Sequence, residues 1–241
     1  MSTRTAISET WEASPIGDAV SAHTVTAIRT AGGWLAAASL LMIAVFALHG
    51  PLAPDLGEQM TRISAAPDRW RVAHWLAAAA LSFYAVTGLL VLSARSRLTM
   101  SGATLSAWAV LSIGALWTLT TALAEATAVT AAATAGRRET FETWWAFAEG
   151  KATGIAFVAL AVVLIAVHES RSSNRATPRW AAGLGAVAGL ASFTGWALGM
   201  WLGMAVGSLV WVVSSMAMSV WTLWFGLGLV RAARALTALR D

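Results

Sequence analysis

The sequence predicts an all-α protein that crosses a membrane six times. Of its 241 residues, 58% are hydrophobic and only 12% are charged, which is about half the charged share of a typical soluble chain. The apolar residues form stretches of about 20, the length that an α-helix needs to cross about 30 Å of hydrocarbon. Polar or basic segments separate most of these stretches. We therefore expect a polytopic integral membrane protein.

Clear polar boundaries separate the first four predicted membrane helices. A Pro-rich polar segment follows helix 1, and a basic turn at residues 93–97 ends helix 2. Helix 3 stays apolar for longer than one crossing needs, so we expect its far end to project beyond the hydrocarbon. The predicted bounds are Ala31–His49 for helix 1, Val72–Leu92 for helix 2, Gly102–Gly136 for helix 3 and Trp144–Val167 for helix 4.

The stretch from Trp180 to Val230 has no charged residue and is long enough for two more crossings, with a turn near residues 201–208. Gly195, Gly199, Gly203 and Gly207 recur there at every fourth position. Small residues at this spacing let helix backbones approach closely in lipid. We expect helices 1–4 to form a bundle and helices 5 and 6 to form a Gly-rich hairpin.

The distribution of basic residues predicts the orientation of the chain. With an inner N-terminus, ten of the 16 Lys and Arg residues fall in inner segments and the other six in outer ones. Basic residues collect on the cytoplasmic side, so we expect both termini to be cytoplasmic. Residues 1–30 form the predicted cytoplasmic tail, which lacks the basic start of a secretory signal, and residues 31–241 form the six-helix domain.

Composition also excludes several classes of function. The formal charge of +4 and the pI near 10.9 follow from arginines in cytoplasmic loops, so we expect no nucleic-acid partner. The chain has no cysteine, which excludes disulfides, iron–sulfur clusters and cysteine nucleophiles. Any metal ion must be held by nitrogen and oxygen ligands.

Four predicted helices each place one histidine or glutamate in a single layer near the outer membrane boundary. Counted from the inner ends, His49, His74, Glu125 and Glu149 lie about 18 to 24 residues along helices 1 to 4, a spread of roughly 9 Å. Ionisable groups at membrane depth are costly and are therefore candidates for function. Two imidazoles and two carboxylates suit Zn, Fe, Mn or Cu. The sequence predicts a metal centre formed by these four residues, with redox or metal-dependent catalysis as its use.

A second interpretation of the two histidines is axial ligation of haem b. His49 and His74 lie at similar heights on neighbouring predicted helices, and Ala-rich faces beside them leave space for a macrocycle. In that case Glu125 and Glu149 would handle protons or a quinone, and the protein would transfer electrons.

A purely structural interpretation also accounts for the four residues. His49 would cap a helix end, His74 would contact lipid headgroups, and the two glutamates would form outer salt bridges. The candidate partners are Arg71 and Lys151 for Glu149, and Arg137 and Arg138 for Glu125.

Two further functions remain open at this point. The chain could be a non-enzymatic subunit or assembly factor that docks a membrane partner, or a second copy of itself, through Gly195, Gly199 and Gly203. Transport is the least favoured function, because only Ser and Thr are predicted at the membrane midplane. The order His49-Gly-Pro, followed by Trp70-x-x-x-His74, resembles that of many bacterial membrane proteins, a resemblance that implies no activity. We expect the protein to lie in a bacterial cell membrane.

Overall fold

The computed structural model describes the backbone of residues 15–50, 52–53, 55–151 and 153–238, and side-chain surroundings from residue 22 onward except at 149–151. Six of its helical segments are long and apolar enough to cross a membrane, which confirms the predicted all-α polytopic fold. The six spans are Ala22–His49, Pro67–Ser93, Gly102–Thr134, Gly154–Arg171, Arg179–Trp201 and Ala205–Ala238.

Nine α-helices are described, and two of the spans contain π-helical turns. The turn at Glu125–Val129 lies between α4 and α5, and the turn at Ala197–Trp201 continues α8. The helices are α1 (Pro15–His49), α2 (Leu56–Ala65), α3 (Pro67–Ser93), α4 (Gly102–Ala124), α5 (Thr130–Thr134), α6 (Arg138–Lys151), α7 (Gly154–Arg171), α8 (Arg179–Trp196) and α9 (Ala205–Ala238).

Several helix boundaries differ from the predicted ones. α1 begins at Pro15, so part of the predicted tail is helical, whereas residues 1–14 lie outside the described residues. The Pro-rich segment contains α2, which begins where the Asp55 carboxylate accepts a hydrogen bond from Glu58 N at 2.8 Å. Predicted helix 4 is two helices, because α6 ends at Lys151 and α7 begins at Gly154.

The six spans form a closed ring rather than a bundle with a separate hairpin. Each spanning helix packs against its neighbours in the order α1, α3, α4, α7, α8 and α9, and α9 packs along α1 to close the ring. The predicted hairpin of helices 5 and 6 is therefore part of the wall, and its residues reach the interior of the bundle.

Glycines bring α8 and α9 into close contact within the chain. A Cβ atom at Gly195 would lie 2.4 Å from the backbone nitrogen of Trp211, and one at Gly207 would lie 2.2 Å from that of Gly199. Gly203 has a φ of +65° and forms the turn between the two helices. The Gly195 and Gly199 face is thus covered by α9 and is not available to a partner. Docking of a partner elsewhere stays a prediction.

One end of the ring carries an extra layer, which we call the capped end. There α2, α5 and α6 pack around the start of α3. Their shared core includes Ile63, Trp70, Val129 and Phe141, all buried. This layer forms a second, smaller core at the capped end.

Hydroxyl groups join three helices inside the bundle. Ser39 Oγ of α1 lies 2.8 Å from Thr222 Oγ1 of α9, and the Tyr84 hydroxyl of α3 lies 3.3 Å from the same Thr222 atom. All three residues are buried. Hydrogen bonds of this kind help membrane helices to associate, because the hydrophobic effect does not drive apolar helices together in lipid.

A buried carboxylate stabilises the end opposite the cap. Glu169, near the end of α7, is fully buried, and its Oε1 accepts hydrogen bonds from the backbone nitrogens of Ala176 and Thr177. Its Oε2 lies 3.6 Å from Arg97 of the α3–α4 connection. The carboxylate therefore connects the α7–α8 loop with the α3–α4 connection.

Candidate metal centre

Three of the four predicted ligands meet inside the capped end of the ring. His49 is the last residue of α1, His74 lies near the start of α3, and Glu125 begins the π-helical turn after α4. One ligand atom from each residue lies within 4.8 Å of the other two. The shared depth predicted from the sequence thus corresponds to a shared site for these three residues.

The backbone at two of these residues departs from a regular helix. Gly50 has a φ of +68°, which ends α1 immediately after His49. In the π-helical turn, the backbone oxygen of Glu125 accepts a hydrogen bond from Thr130 Oγ1 at 2.6 Å, five residues on. Such turns are rare in helices and frequent at functional sites.

Backbone carbonyls determine which nitrogen of each imidazole is free. His49 Nδ1 lies 2.7 Å from the carbonyl oxygen of Gly50, and His74 Nδ1 lies 2.8 Å from that of Trp70. A carbonyl oxygen only accepts, so both Nδ1 atoms carry the proton and donate. In a neutral imidazole the other nitrogen, Nε2, then offers a lone pair. This arrangement is usual for histidines that bind metal ions.

The second ring nitrogen of His74 faces a carboxylate. His74 Nε2 lies 2.8 Å from Glu125 Oε2. Two acceptors at this distance repel each other unless a proton or a metal ion lies between them. The contact is therefore stabilised either by a second proton on His74, which makes it an ion pair, or by a bound cation.

The three residues of the site have little or limited exposure to solvent. His74 is 5% exposed and Glu125 is 7% exposed, whereas His49 is half-buried. The Trp70 ring packs against both imidazoles, with centroid distances of 4.6 Å to His49 and 4.5 Å to His74. The two imidazoles are thus held in place by an aromatic side chain that has little exposure itself.

A cavity of about 80 Å³ opens beside the three residues. Each of the six ring helices contributes to its wall, including Trp196 of α8 and Trp211 of α9. The wall is otherwise mainly apolar, and the volume is sufficient for several water molecules. A metal ion bound by the three residues would face this space.

The threonines below the site give no additional ligands. Thr118 and Thr121 line the cavity, but their hydroxyls donate to the backbone oxygens of Gly114 and Ala148 at 2.8 and 3.0 Å. Ser82 likewise donates to its own helix, at Ala78 O. The polar stripe that accompanies the predicted ligands in the sequence is thus explained by backbone hydrogen bonding.

The structural interpretation is wrong for two of the four residues. His74 is buried inside the protein rather than at its surface, and Glu125 contacts His74 rather than an arginine. Arg138 pairs with Glu142 at 2.8 Å. His49 does end α1, so the expected helix-end position and the site coincide.

Glu149, the fourth predicted ligand, lies in α6, and its side chain is outside the described residues, as is that of Lys151. Because α6 and α7 are separate helices, the depth of Glu149 cannot be counted along one continuous helix. Its role as a ligand stays a prediction.

Haem ligation also stays a prediction, with less support than a metal ion. The centroids of the His49 and His74 rings are 5.1 Å apart, and Glu125 occupies the space next to His74 Nε2. A cavity of about 80 Å³ is small beside the roughly 300 Å³ or more that pockets for drug-sized ligands occupy. Haem would require the helices to separate.

Sequence reasoning missed the contribution of α8 and α9 to the site. Trp211 packs edge-on against His49, with ring centroids 6.1 Å apart, and against Trp196 at 5.0 Å. The close approach of Gly195 to Trp211 positions Trp211, so the glycine spacing was the available signal.

Comparison of the chain with protein-family models, curated proteins and solved structures finds no match in any of the three.

Proposed function

We propose that this chain is an integral membrane metalloprotein that binds one divalent transition metal ion. The ligands are Nε2 of His49, Nε2 of His74 and the carboxylate of Glu125. Two histidines and one carboxylate are a ligand set used for both Zn²⁺ and non-haem Fe²⁺, and Mn²⁺ and Cu²⁺ accept the same donor types. The capped end faces the outside of a cell membrane, and both chain ends lie in the cytoplasm.

The observation that supports this proposal most strongly is the 2.8 Å contact between His74 Nε2 and Glu125 Oε2. A proton would satisfy this pair, but it would leave the free nitrogen of His49 without a function. A metal ion satisfies all three groups at once. One nitrogen or oxygen atom of each residue lies within 4.8 Å of the other two, and ligands about 2.0–2.2 Å from a tetrahedral metal are about 3.4 Å apart, so side-chain rotations would complete the site.

Three protein ligands, without Glu149, would favour a reactive centre over a structural one. Structural zinc sites have four protein ligands, whereas catalytic sites have three and keep an exchangeable position. The three residues border a cavity whose other lining side chains are mainly apolar. A bound metal ion would supply Lewis-acid activation of a ligand in this space. The chain's own residues would hold and orient the ion.

Metal analysis of the purified protein tests the proposal. Protein in detergent is incubated with Co²⁺ or Zn²⁺, passed through a desalting column and measured by elemental analysis. We expect about one ion per chain, and an affinity at least about tenfold lower after His49→Ala or His74→Ala, because each change removes a ligand. His168→Ala is the matched control, since His168 lies near the end of α7, away from the site.

Correct folding of each variant is checked by the elution volume and by helical circular dichroism. Folded wild-type protein that retains no metal would contradict the proposal. A Soret absorption band that is lost in the double variant would replace it with the haem alternative.

A further inference from the structure

Two tryptophans in the wall of the cavity beside the candidate metal centre have buried indole N–H groups without a hydrogen-bond acceptor. Trp196 and Trp211 both line it, at 4% and 8% exposure, and the indole Nε1–H of each is buried without a hydrogen-bond partner. An unpaired buried donor is unfavourable, and more so among apolar side chains. The two N–H groups therefore favour a ligand that supplies an acceptor atom.

No other side chain in the wall competes for that acceptor. Thr118 and Thr121 already donate their hydroxyl hydrogens to backbone oxygens. The two histidines donate through Nδ1 to Gly50 and Trp70. Among the described residues that line the cavity, the two indoles are the remaining donors.

Charge indicates the sign of the ligand. Glu125 carries the single carboxyl group among the described residues of the cavity wall. A divalent ion held by two neutral imidazoles and one carboxylate keeps a net charge of +1. An isolated charge is costly in such a low-dielectric environment, and a bound monoanion neutralises it.

We propose that the cavity binds a small monoanion, such as a short-chain carboxylate, that ligates the metal and accepts hydrogen bonds from Trp196 and Trp211. This inference rests on the proposed metal centre and extends it to the class of ligand. The cavity of about 80 Å³ limits the anion to a few non-hydrogen atoms. The apolar wall, which includes Met42, Val45 and Phe46, suits a short alkyl group behind the charged end.

Co²⁺-loaded protein provides the test, because the visible spectrum of Co²⁺ changes when an exogenous ligand binds. The protein is titrated with azide and with acetate in chloride-free buffer. We expect saturable spectral shifts with a stoichiometry of one anion per Co²⁺. Acetamide, the neutral counterpart of acetate, should bind at least about tenfold more weakly because it does not neutralise the charge.

Substitution of the indoles distinguishes the roles of the two donors from general packing. Trp196→Phe and Trp211→Phe should each weaken azide binding by about tenfold or more, since hydrogen bonds to charged groups are strong. The loss of azide binding should exceed any loss of Co²⁺ affinity in both variants, including Trp211→Phe, whose ring also packs against His49. Trp221→Phe is the matched control. The Nε1–H of Trp221 is also buried and unpartnered, but this residue does not line the cavity.

The outcomes separate this inference from the proposed function. If the wild-type protein binds no Co²⁺, the metal centre itself is wrong. If Co²⁺ binds but neither anion shifts its spectrum, the centre is closed, for example by Glu149, and the anion site is wrong. Acetamide binding as tight as acetate, or unchanged azide binding in both Trp196→Phe and Trp211→Phe, would also overturn it.

Discussion

His74 Nε2 and Glu125 Oε2 face each other at 2.8 Å, and the opposite nitrogen of the same imidazole donates to the Trp70 carbonyl at 2.8 Å. The second contact assigns a ring proton to Nδ1, so the first contact needs either a second ring proton on Nε2 or a metal ion between the two atoms. A second proton makes the contact a buried ion pair at the capped end of the bundle. A metal ion there would also engage His49, the third residue of the group.

Replacing Glu125 by glutamine should separate metal binding from stability. The amide N–H can donate to His74 Nε2, so metal-free Glu125→Gln should unfold at the same temperature as the wild type or a higher one, as followed by tryptophan fluorescence. Its metal affinity should fall at least about tenfold, because a neutral amide is a poor ligand. Glu142→Gln, at the exposed pair with Arg138, is the control and should change neither quantity.

A lower stability of metal-free Glu125→Gln would indicate a buried ion pair instead of a metal centre. If Glu125 and His74 formed only a buried ion pair, the same change would destabilise the protein by about 3–5 kcal/mol. Lower stability of metal-free Glu125→Gln together with unchanged metal content would therefore contradict the metal centre.

A methyl group at Gly195 should disturb both the hairpin and the site. Its Cβ would lie 2.4 Å from the Trp211 backbone, so Gly195→Ala should move α9 and lower the free energy of unfolding by about 1–3 kcal/mol. Metal affinity should fall as well, because Trp211 packs against His49. Gly183→Ala, in the same helix, is the control, since no atom lies within 4 Å of the added Cβ. Equal effects of the two changes on unfolding in mixed SDS micelles would argue against the close α8–α9 contact.

The buried hydroxyl cluster should contribute stability and leave the metal centre alone. Ser39→Ala removes the 2.8 Å hydrogen bond to Thr222 and should cost about 1 kcal/mol, the usual size for bonds between membrane helices. Ser82→Ala should cost close to nothing, because Ser82 bonds only to the backbone of its own helix. Both variants should keep the wild-type metal content. A loss of metal in Ser39→Ala would show that the cluster and the site are coupled.

The buried Glu169 should matter for folding and not for metal binding. Glu169→Ala leaves the backbone nitrogens of Ala176 and Thr177 without their acceptor, which should lower the free energy of unfolding by about 3 kcal/mol. Glu142→Ala, at a half-buried position, removes only the ion pair with Arg138 and should lower it by less than about 1 kcal/mol. Loss of bound metal in folded Glu169→Ala protein would contradict the assignment of this residue to the loops alone.

Depth along a helix can be predicted from sequence, whereas the direction of a side chain in an apolar helix cannot. Counting at about 1.5 Å per residue placed His49, His74 and Glu125 in one layer, and the structure brings them together. The spans carrying them are apolar on all sides, so no periodic polar face shows which neighbours they meet. For this reason the packing of Trp211 against His49 was not predicted.

Other differences arise from interactions between segments distant in sequence. The break between α6 and α7 lies where Gly154 packs against Gly114, and a Cβ at Gly154 would come within 2.7 Å of the Gly114 oxygen. The role of Glu169 depends on a loop that folds back onto it. Neither contact leaves a pattern in the local sequence.

The measurement that tests the central claim most directly is X-ray absorption spectroscopy at the zinc edge of Zn²⁺-loaded protein. We predict two imidazoles and at least one oxygen, at about 2.0–2.2 Å from the metal, and a single imidazole in His49→Ala. The His168→Ala protein should give the wild-type spectrum. A first shell without imidazole, or one that the His49→Ala change leaves intact, would contradict a centre formed by His49, His74 and Glu125.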